Sequence, residues 1–152
     1  MDLAQPQDAH RRRSLTASGA ANAVARRRGT RVFISFDFDH DLDLKNLLVG
    51  QSRHPDSPFF IDDWSIKYAS KGWKSLVRDR IRRSDCVIVI CGDHTHQAAG
   101  VKAEIAIARE ERRPYYLLRG RKIGSVRRPQ GTRFWESVRP WTWANLRAIT
   151  TK

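Results

Sequence analysis

Cys86-Val87-Ile88-Val89-Ile90-Cys91 is apolar at every position and rich in β-branched side chains. A strand with one face in solvent alternates apolar and polar residues, whereas a strand covered on both faces is apolar throughout. This segment is therefore predicted to be a central strand of a parallel sheet that has helices on both sides.

Shorter strands and amphipathic segments alternate on both sides of this central strand. We predict further strands at 31–36, 59–61 and 114–118, and a short edge strand at 138–143. We predict helices at 42–50, 71–83 and 98–112, and a last helical turn at 144–149. The predicted buried stripe of the second helix consists of Trp73, Leu76, Val77 and Ile81. Strands that alternate with helices at this spacing indicate βαβ units and a parallel sheet.

The loops that would bind a ligand follow from the fold class. The sequence contains neither GxGxxG nor GxxxxGKS/T, so the Rossmann fingerprint and the P-loop are both absent. What remains is a flavodoxin-like, doubly wound α/β fold with a mainly parallel sheet of about five strands. It forms a single domain over residues 30–150, after a basic tail at 1–29 that is predicted to be disordered. Ligands are expected at the carboxyl ends of the first and third strands, at 35–41 and 92–104.

The composition is that of a globular domain, with 152 residues, 40% hydrophobic and 30% charged. No apolar run approaches the roughly 20 residues of a membrane-spanning helix, so no membrane association is expected. Cys86 and Cys91 lie on one predicted strand, point to opposite faces and cannot bridge each other. Free core thiols are typical of a reducing compartment, which favours a cytoplasmic location.

The chain carries a formal net charge of +13. Residues 1–30 contribute six arginines against Asp2 and Asp8, and the remaining charge is spread over the domain. A diffuse positive field attracts any anion, including nucleic acids and dinucleotides. Because no RNP, helix-turn-helix or zinc motif is present, nucleic-acid binding stays an alternative that the sequence does not favour.

Glu104 is the first candidate for chemistry. It belongs to a predicted helix after the central strand and shares a stripe with Val101, Ile105 and Ala108, which should pack against the sheet. Carboxylates are rarely buried unless they are paired or functional. The alternative is an ordinary ion pair between Glu104 and a basic neighbour on the same helix, Lys102 or Arg109.

The loop after the first strand supplies further candidates. Ser35 and its backbone neighbours can approach a phosphate or a ribose, and the carboxylates of Asp37, Asp39 and Asp41 can bind ribose hydroxyls. Asp41 is equally suited to cap the helix that follows.

Aromatic and histidine side chains complete the set of candidates. Trp64 follows the second strand, where it can stack on a base or pack locally. His40, His94 and His96 fall in the two loops that should face each other. No Cys lies nearby and no HExxH pattern is present, so no metal site is predicted.

Five stretches of the chain, spread over residues 30–150, resemble the TIR-like domains of bacterial Thoeris antiphage systems. They are 33–41 (FISFDFDHD), 56–59 (DSPF), 63–65 (DWS), 88–95 (IVICGDHT) and 141–146 (WTWANL). The resemblance implies a flavodoxin-like TIR fold. Catalytic TIR domains cleave NAD at the nicotinamide–ribose bond, and Thoeris members are understood to make a cyclic ADP-ribose-type signal for a partner effector.

The resemblance also implies residue roles. The catalytic glutamate of such domains lies in a WCxxE-like pattern, and the matching window here is Gly100-Val101-Lys102-Ala103-Glu104, with Gly100 where many relatives carry Trp. Glu104 is thus the expected catalytic residue, and NAD is a substrate with no further cofactor. The expected substrate-binding residues are Ser35, Phe36, Asp37, Asp39, His40, Asp41, Trp64 and His94. TIR–TIR self-association is a further expectation, and a non-catalytic TIR scaffold is the alternative function.

Overall fold

A computed structural model describes residues 30–57, 59–61, 71–124 and 126–151 of the chain. The predicted tail at 1–29 and the predicted base-stacking role of Trp64 lie outside these described residues.

The described residues form a parallel sheet of five strands in the order β2-β1-β3-β4-β5. The strands are β1 (Thr30–Ser35), β2 (Phe59–Phe60), β3 (Cys86–Cys91), β4 (Tyr115–Arg119) and β5 (Val138–Arg139). This is the order of the flavodoxin-like fold, in which the chain reverses its direction of travel across the sheet between β1 and β3. The predicted fold class and the central position of Cys86–Cys91 are confirmed.

The register brings the ends of β1 and β3 side by side. Val32 pairs with Cys86 at the start of the ladder, and Ser35 pairs with Val89 at its end. All six positions of β3 are buried, as its apolar sequence predicts. The loops that leave β1 and β3 therefore emerge next to each other at one edge of the sheet.

Helices cover both faces of the sheet. They are α1 (Leu42–Ser52), α2 (Trp73–Arg83), α3 (Ala99–Glu110) and α4 (Trp143–Thr150), with a 3-10 turn at Thr95–Gln97. One buried cluster joins α1 and α4 to the sheet, and a second joins α2 and α3 to its other face. The last element differs most from its prediction. The strand β5 stops at Arg139, and Thr142 caps a full helix, its Oγ1 accepting the Asn145 N–H at 3.1 Å.

The predicted burial of Leu76 on α2 is wrong, since 45% of this residue is exposed. Val77 and Ile81 are fully buried, and Trp73 packs partly against the same cluster. These three residues recur at four-residue intervals, so they alone form the row that meets the core. Leu76 lies about 100° around the helix axis from Val77 and points away from that row.

The tryptophans near the carboxyl terminus divide between core and surface. Trp141 and Trp143 pack against the cluster under α1 and α4, and Trp141 Nε1 donates to Gln51 Oε1 at 2.8 Å. Trp135 is exposed and meets Phe134 edge-on, with ring centroids 4.9 Å apart. Among the described residues, no helix combines the length and apolarity needed to cross a bilayer.

Candidate functional site

A cavity of about 320 Å³ opens at the edge where β1 and β3 end. It lies between the loop after β1 and the first turns of α3, where the sequence predicted a ligand. Its walls are formed by Phe36, Asp37, Phe38, Asp39, His40, His94, Gln97, Ala98, Ala99, Gly100, Val101 and Glu104. The volume lies at the lower end of the range for small-molecule sites. It suits one part of a dinucleotide rather than the whole molecule.

Glu104 forms the inner wall of this cavity and is only 6% exposed. Its helical neighbours Val101, Ile105 and Ala108 are buried against the sheet, which draws the carboxyl group inward with them. Burial raises the pKa of Glu104 to about 8, and a weak interaction with the Ser35 hydroxyl opposes that rise. A carboxyl in this state is neutral below pH 8 and easily influenced by a nearby cation.

Among the described residues, the Glu104 carboxyl has no strong partner of the kind that a structural role would give it. Glu104 Oε2 and Ser35 Oγ are buried without a well-formed hydrogen bond to any of the described residues. Arg109, one of the two predicted ion-pair partners, instead donates to Tyr115 Oη at 3.0 Å. No ion pair joins Glu104 to a described residue, so the alternative of a surface ion pair is not supported.

On the part of the wall formed by the loop after β1, Asp37 and His40 form a hydrogen-bonded pair. His40 Nδ1 lies 2.8 Å from Asp37 Oδ2, and Asp37 Oδ1 accepts the Asp39 backbone N–H at 3.0 Å. The His40 ring stacks on His94, with centroids 4.1 Å apart and planes inclined by 30°. His40 and His94 therefore meet, as their positions after β1 and β3 predicted, whereas His96 is not among the described residues that border the cavity.

Aromatic rings make up the apolar part of the wall. Phe36 and Phe38 lie with their centroids 4.2 Å apart and both border the cavity. Such rings pack well against a planar heterocycle. Phe38 was not among the predicted site residues, although an aromatic side chain within an otherwise polar turn is a usable signal.

A second buried carboxylate, that of Asp41, holds the loops together behind the cavity. Thr95 Oγ1 donates to Asp41 Oδ2 at 3.2 Å, and Arg121 Nη2 donates to Asp41 Oδ1 at 3.3 Å. Thr95 Oγ1 in turn accepts the Gly92 N–H at 2.7 Å. Burial raises the pKa of Asp41, while the bonds from Thr95 and Arg121 lower it.

Two predictions for Asp41 are corrected by these contacts. Asp41 precedes α1 at the N-cap position, but its side chain makes no capping bond to the helix because Thr95 and Arg121 occupy it. Asp41 is also only 1% exposed and is not among the described residues that border the cavity, which gives no support to its predicted role in substrate binding.

Most of the predicted site residues come together in one place. Those that border the cavity are Phe36, Asp37, Asp39, His40, His94 and Glu104. Ser35 lies next to them, buried beside Glu104. No local pattern identified Arg121, because its role depends on how the loop after β4 reaches Asp41 and His40. Within the described part of the chain, no three His, Cys, Asp or Glu side chains are grouped as metal ligands.

The strand order is that of a flavodoxin-like fold, and the Glu104 carboxyl on α3 lies in the cavity at its switch point. The chain belongs to the family described as "Thoeris protein ThsB, TIR-like domain", whose model matches residues 33–123. The matched region contains both loops of the cavity and Glu104. Membership indicates a role in antiphage defence. A comparison with curated proteins gives no match.

Proposed function

We propose that this chain cleaves NAD at the nicotinamide–ribose bond, with Glu104 as the catalytic carboxylate, and releases a cyclic ADP-ribose-type signal. The observation that carries the proposal is the buried Glu104 carboxyl, whose Oε2 has no hydrogen-bond partner among the described residues, in the wall of a cavity at the switch point of a TIR-like sheet. Perturbed carboxyls in such cavities are frequent in active sites.

The reaction needs only one carboxylate. Nicotinamide leaves with the electron pair of the C–N bond and becomes neutral, so its departure requires no general acid. Positive charge then develops on the ribose carbon, as it does in glycoside hydrolysis. A fixed anion beside that carbon stabilises the charge where it appears, and this is worth most in a site that excludes water.

The pKa of Glu104 couples its ionisation to substrate binding. Near neutral pH the empty site holds Glu104 mostly protonated, because its pKa is about 8. The nicotinamide ring of NAD carries a positive charge, and an opposite charge within about 6 Å lowers a carboxyl pKa by about 1–3 units. Binding of NAD therefore generates the carboxylate that the reaction uses, and a neutral ligand does not.

The remaining walls account for recognition of the substrate. Phe36 and Phe38 provide an apolar face for the nicotinamide ring, and the exposed Asp39 carboxylate at the rim is placed to accept from ribose hydroxyls. His40 and His94 close the opposite side. The diffuse positive charge of the domain favours a ligand that carries a diphosphate.

We place the reaction in the cytoplasm, where the buried thiols of Cys86 and Cys91, which form no disulfide with a described residue, stay reduced. The cyclic product would act on an effector protein of the same defence system. Because constitutive loss of NAD is toxic, we expect activity to depend on a trigger during infection or on self-association.

The test is mass spectrometry of NAD incubated with the wild-type chain, with Glu104→Gln and with Glu110→Gln, in buffer and in extracts of phage-infected cells. Glu110 is a matched control because it lies on α3 but is exposed and pairs with Arg78 at the surface. We expect an ADP-ribose-type product from wild type and Glu110→Gln, and a loss of about 1,000-fold in Glu104→Gln. If none of the three proteins forms product from NAD in either setting, the proposed enzymatic activity is rejected and a non-catalytic TIR scaffold is favoured.

A further inference from the structure

We propose that His40, held by Asp37, is the general base that removes the proton from the hydroxyl group which captures the ribosyl cation. This inference rests on the proposed function and adds a second catalytic residue to it. It concerns the step after nicotinamide has left, in which the enclosed Glu104 carboxylate faces the cation and a second, more exposed group takes the proton.

The contact with Asp37 selects one tautomer of the neutral His40 ring. A carboxylate can only accept hydrogen bonds, so the ring nitrogen that faces Asp37 Oδ2 at 2.8 Å carries the hydrogen. In the neutral ring Nδ1 is therefore the donor, and Nε2 keeps a free electron pair. Asp37 is itself held in place by the Asp39 N–H on Oδ1. The same logic orients the histidine of a hydrolase triad.

One further contact holds the ring of His40, and another holds its backbone. His94 stacks on it at a centroid distance of 4.1 Å, and Arg121 Nη2 donates to the His40 carbonyl oxygen at 3.1 Å. His40 borders the same cavity as Glu104 but comes from the loop after β1 rather than from α3. The two groups thus approach a ligand from different walls.

The chemistry requires such a base. When the C–N bond breaks, its electron pair leaves on neutral nicotinamide and the ribose carbon becomes a cation beside the Glu104 carboxylate. The oxygen of water or of a sugar hydroxyl then forms the new C–O bond, and its O–H proton must be taken away. His40 Nε2 accepts that proton, and the resulting imidazolium is stabilised by Asp37. Because 49% of the His40 side chain is exposed, the proton can pass on to water, whereas Glu104 is enclosed.

Two readouts separate the base from the carboxylate. Exchange of labelled nicotinamide into NAD requires formation and recapture of the cation but no proton transfer. Net formation of ADP-ribose-type product requires the O–H proton to leave. We expect His40→Gln to keep exchange within about 3-fold of wild type and to lose about 100-fold in net product, the range of general-base contributions. Sodium azide, an anionic nucleophile with no proton to lose, should restore net consumption of NAD by His40→Gln.

The variants distinguish the two proposals. Asp37→Asn should show the same uncoupling as His40→Gln, because an amide can donate to Nδ1 and reverse the tautomer, and it carries the test if His40→Gln fails to fold. His54→Gln is the matched control, since His54 is exposed and lies after α1 outside the cavity. Glu104→Gln should lose exchange and product together, without rescue by azide.

The opposite results overturn the inference. If folded His40→Gln loses exchange and product equally, or retains both, His40 is not the base, and the proposed role of Glu104 stands. If the wild-type chain shows neither exchange nor product in buffer and in extracts of infected cells, the proposed function fails and this inference fails with it.

Discussion

Among the described residues, Asp37, Asp41 and Glu104 carry carboxyl groups that are buried at the same edge of the sheet, and the surroundings of the last two differ most. Asp41 is 1% exposed and receives hydrogen bonds from the Thr95 hydroxyl and the Arg121 guanidinium. Glu104 is 6% exposed, and among the described residues only the Ser35 hydroxyl interacts with it, weakly. Burial raises the pKa of both, yet only at Asp41 do strong partners counteract that effect.

This difference indicates that Asp41 has a structural role and that Glu104 is the candidate for catalysis. The partners of Asp41 come from the loops after β3 and β4, so its burial joins three loops and stabilises the frame of the cavity. An unpaired buried carboxyl destabilises a fold, and such groups are kept where function requires them. Glu104 fits that description, and it faces the cavity that Asp41 does not reach.

The largest expected effect on stability follows from the pKa of Glu104. Its folded value of about 8 exceeds the ordinary value of 4.5, so the folded state holds a proton that the unfolded state has lost between these values. This contribution is fully present below pH 4.5 and is lost as pH rises towards 8. We expect the free energy of unfolding of wild type to fall by about 3 kcal/mol between pH 5 and pH 8 through this group.

Glu104→Gln should remove that dependence, because the amide does not titrate, and should be more stable than wild type at pH 8. Urea unfolding at both pH values measures the effect, with Glu110→Gln as the exposed control on the same helix. Parallel pH profiles of wild type and Glu104→Gln would show that the carboxyl is not held protonated in the folded state.

The apolar pattern was sufficient to predict the framework of this domain. The uninterrupted β3 sequence identified a sheet covered on both faces, and alternation with amphipathic segments identified the parallel connections. Glu104 could also be found, because a carboxylate on the apolar stripe of α3 is a local anomaly in the sequence. These features depend on periodicity, which a single segment carries by itself.

The contacts of Asp41 could not be found in the same way. They join residues 54 and 80 positions away in the chain, and their existence depends on how two loops meet at the sheet edge. The predicted burial of Leu76 was wrong for a related reason. The exposure of Leu76 is set by the rotation of α2 against the sheet rather than by the sequence of the helix. Long-range orientation is thus the part that local patterns do not determine.

A smaller effect is expected from Gly92, which makes room for the Asp41 carboxylate. A Cβ at this position would lie 2.6 Å from Asp41 Cγ and closer still to both carboxylate oxygens. Gly92→Ala must displace a buried, hydrogen-bonded group, so we expect it to lower the free energy of unfolding by about 2 kcal/mol. Chemical denaturation measures this change.

A double-mutant cycle identifies the cause. In an Asp41→Ala background the obstructing carboxylate is absent, and Gly92→Ala should then have less than about half of its effect on stability. Gly50→Ala is a suitable control, because Gly50 lies on α1 and an added Cβ there meets open space. Gly131→Ala is not, because the positive φ of Gly131 adds backbone strain. If the effects of the two substitutions are additive, a clash with the Asp41 carboxylate is not the reason why Gly92→Ala destabilises the fold.

The smallest effect is expected at Arg121, and its dependence on pH distinguishes it from a merely structural arginine. Arg121 binds the Asp43 carboxylate through both terminal nitrogens, at 3.1 and 3.0 Å, and also reaches Asp41. Its guanidinium lowers the pKa of Asp41 against the larger effect of burial. A lysine cannot reproduce this forked geometry, so Arg121→Lys should cost about 1 kcal/mol at pH 7.

The loss should be smaller at pH 4, because an Asp41 carboxyl with a raised pKa is then partly neutral and needs its cation less. Arg119→Lys provides the contrast: Arg119 donates to the backbone carbonyls of Arg121, Lys122 and Gly124, which do not titrate. Its loss should be equal at both pH values. If the two arginine variants respond to pH alike, the charge of Asp41 contributes nothing to the frame, and the contrast between the two buried carboxyls rests on Glu104 alone.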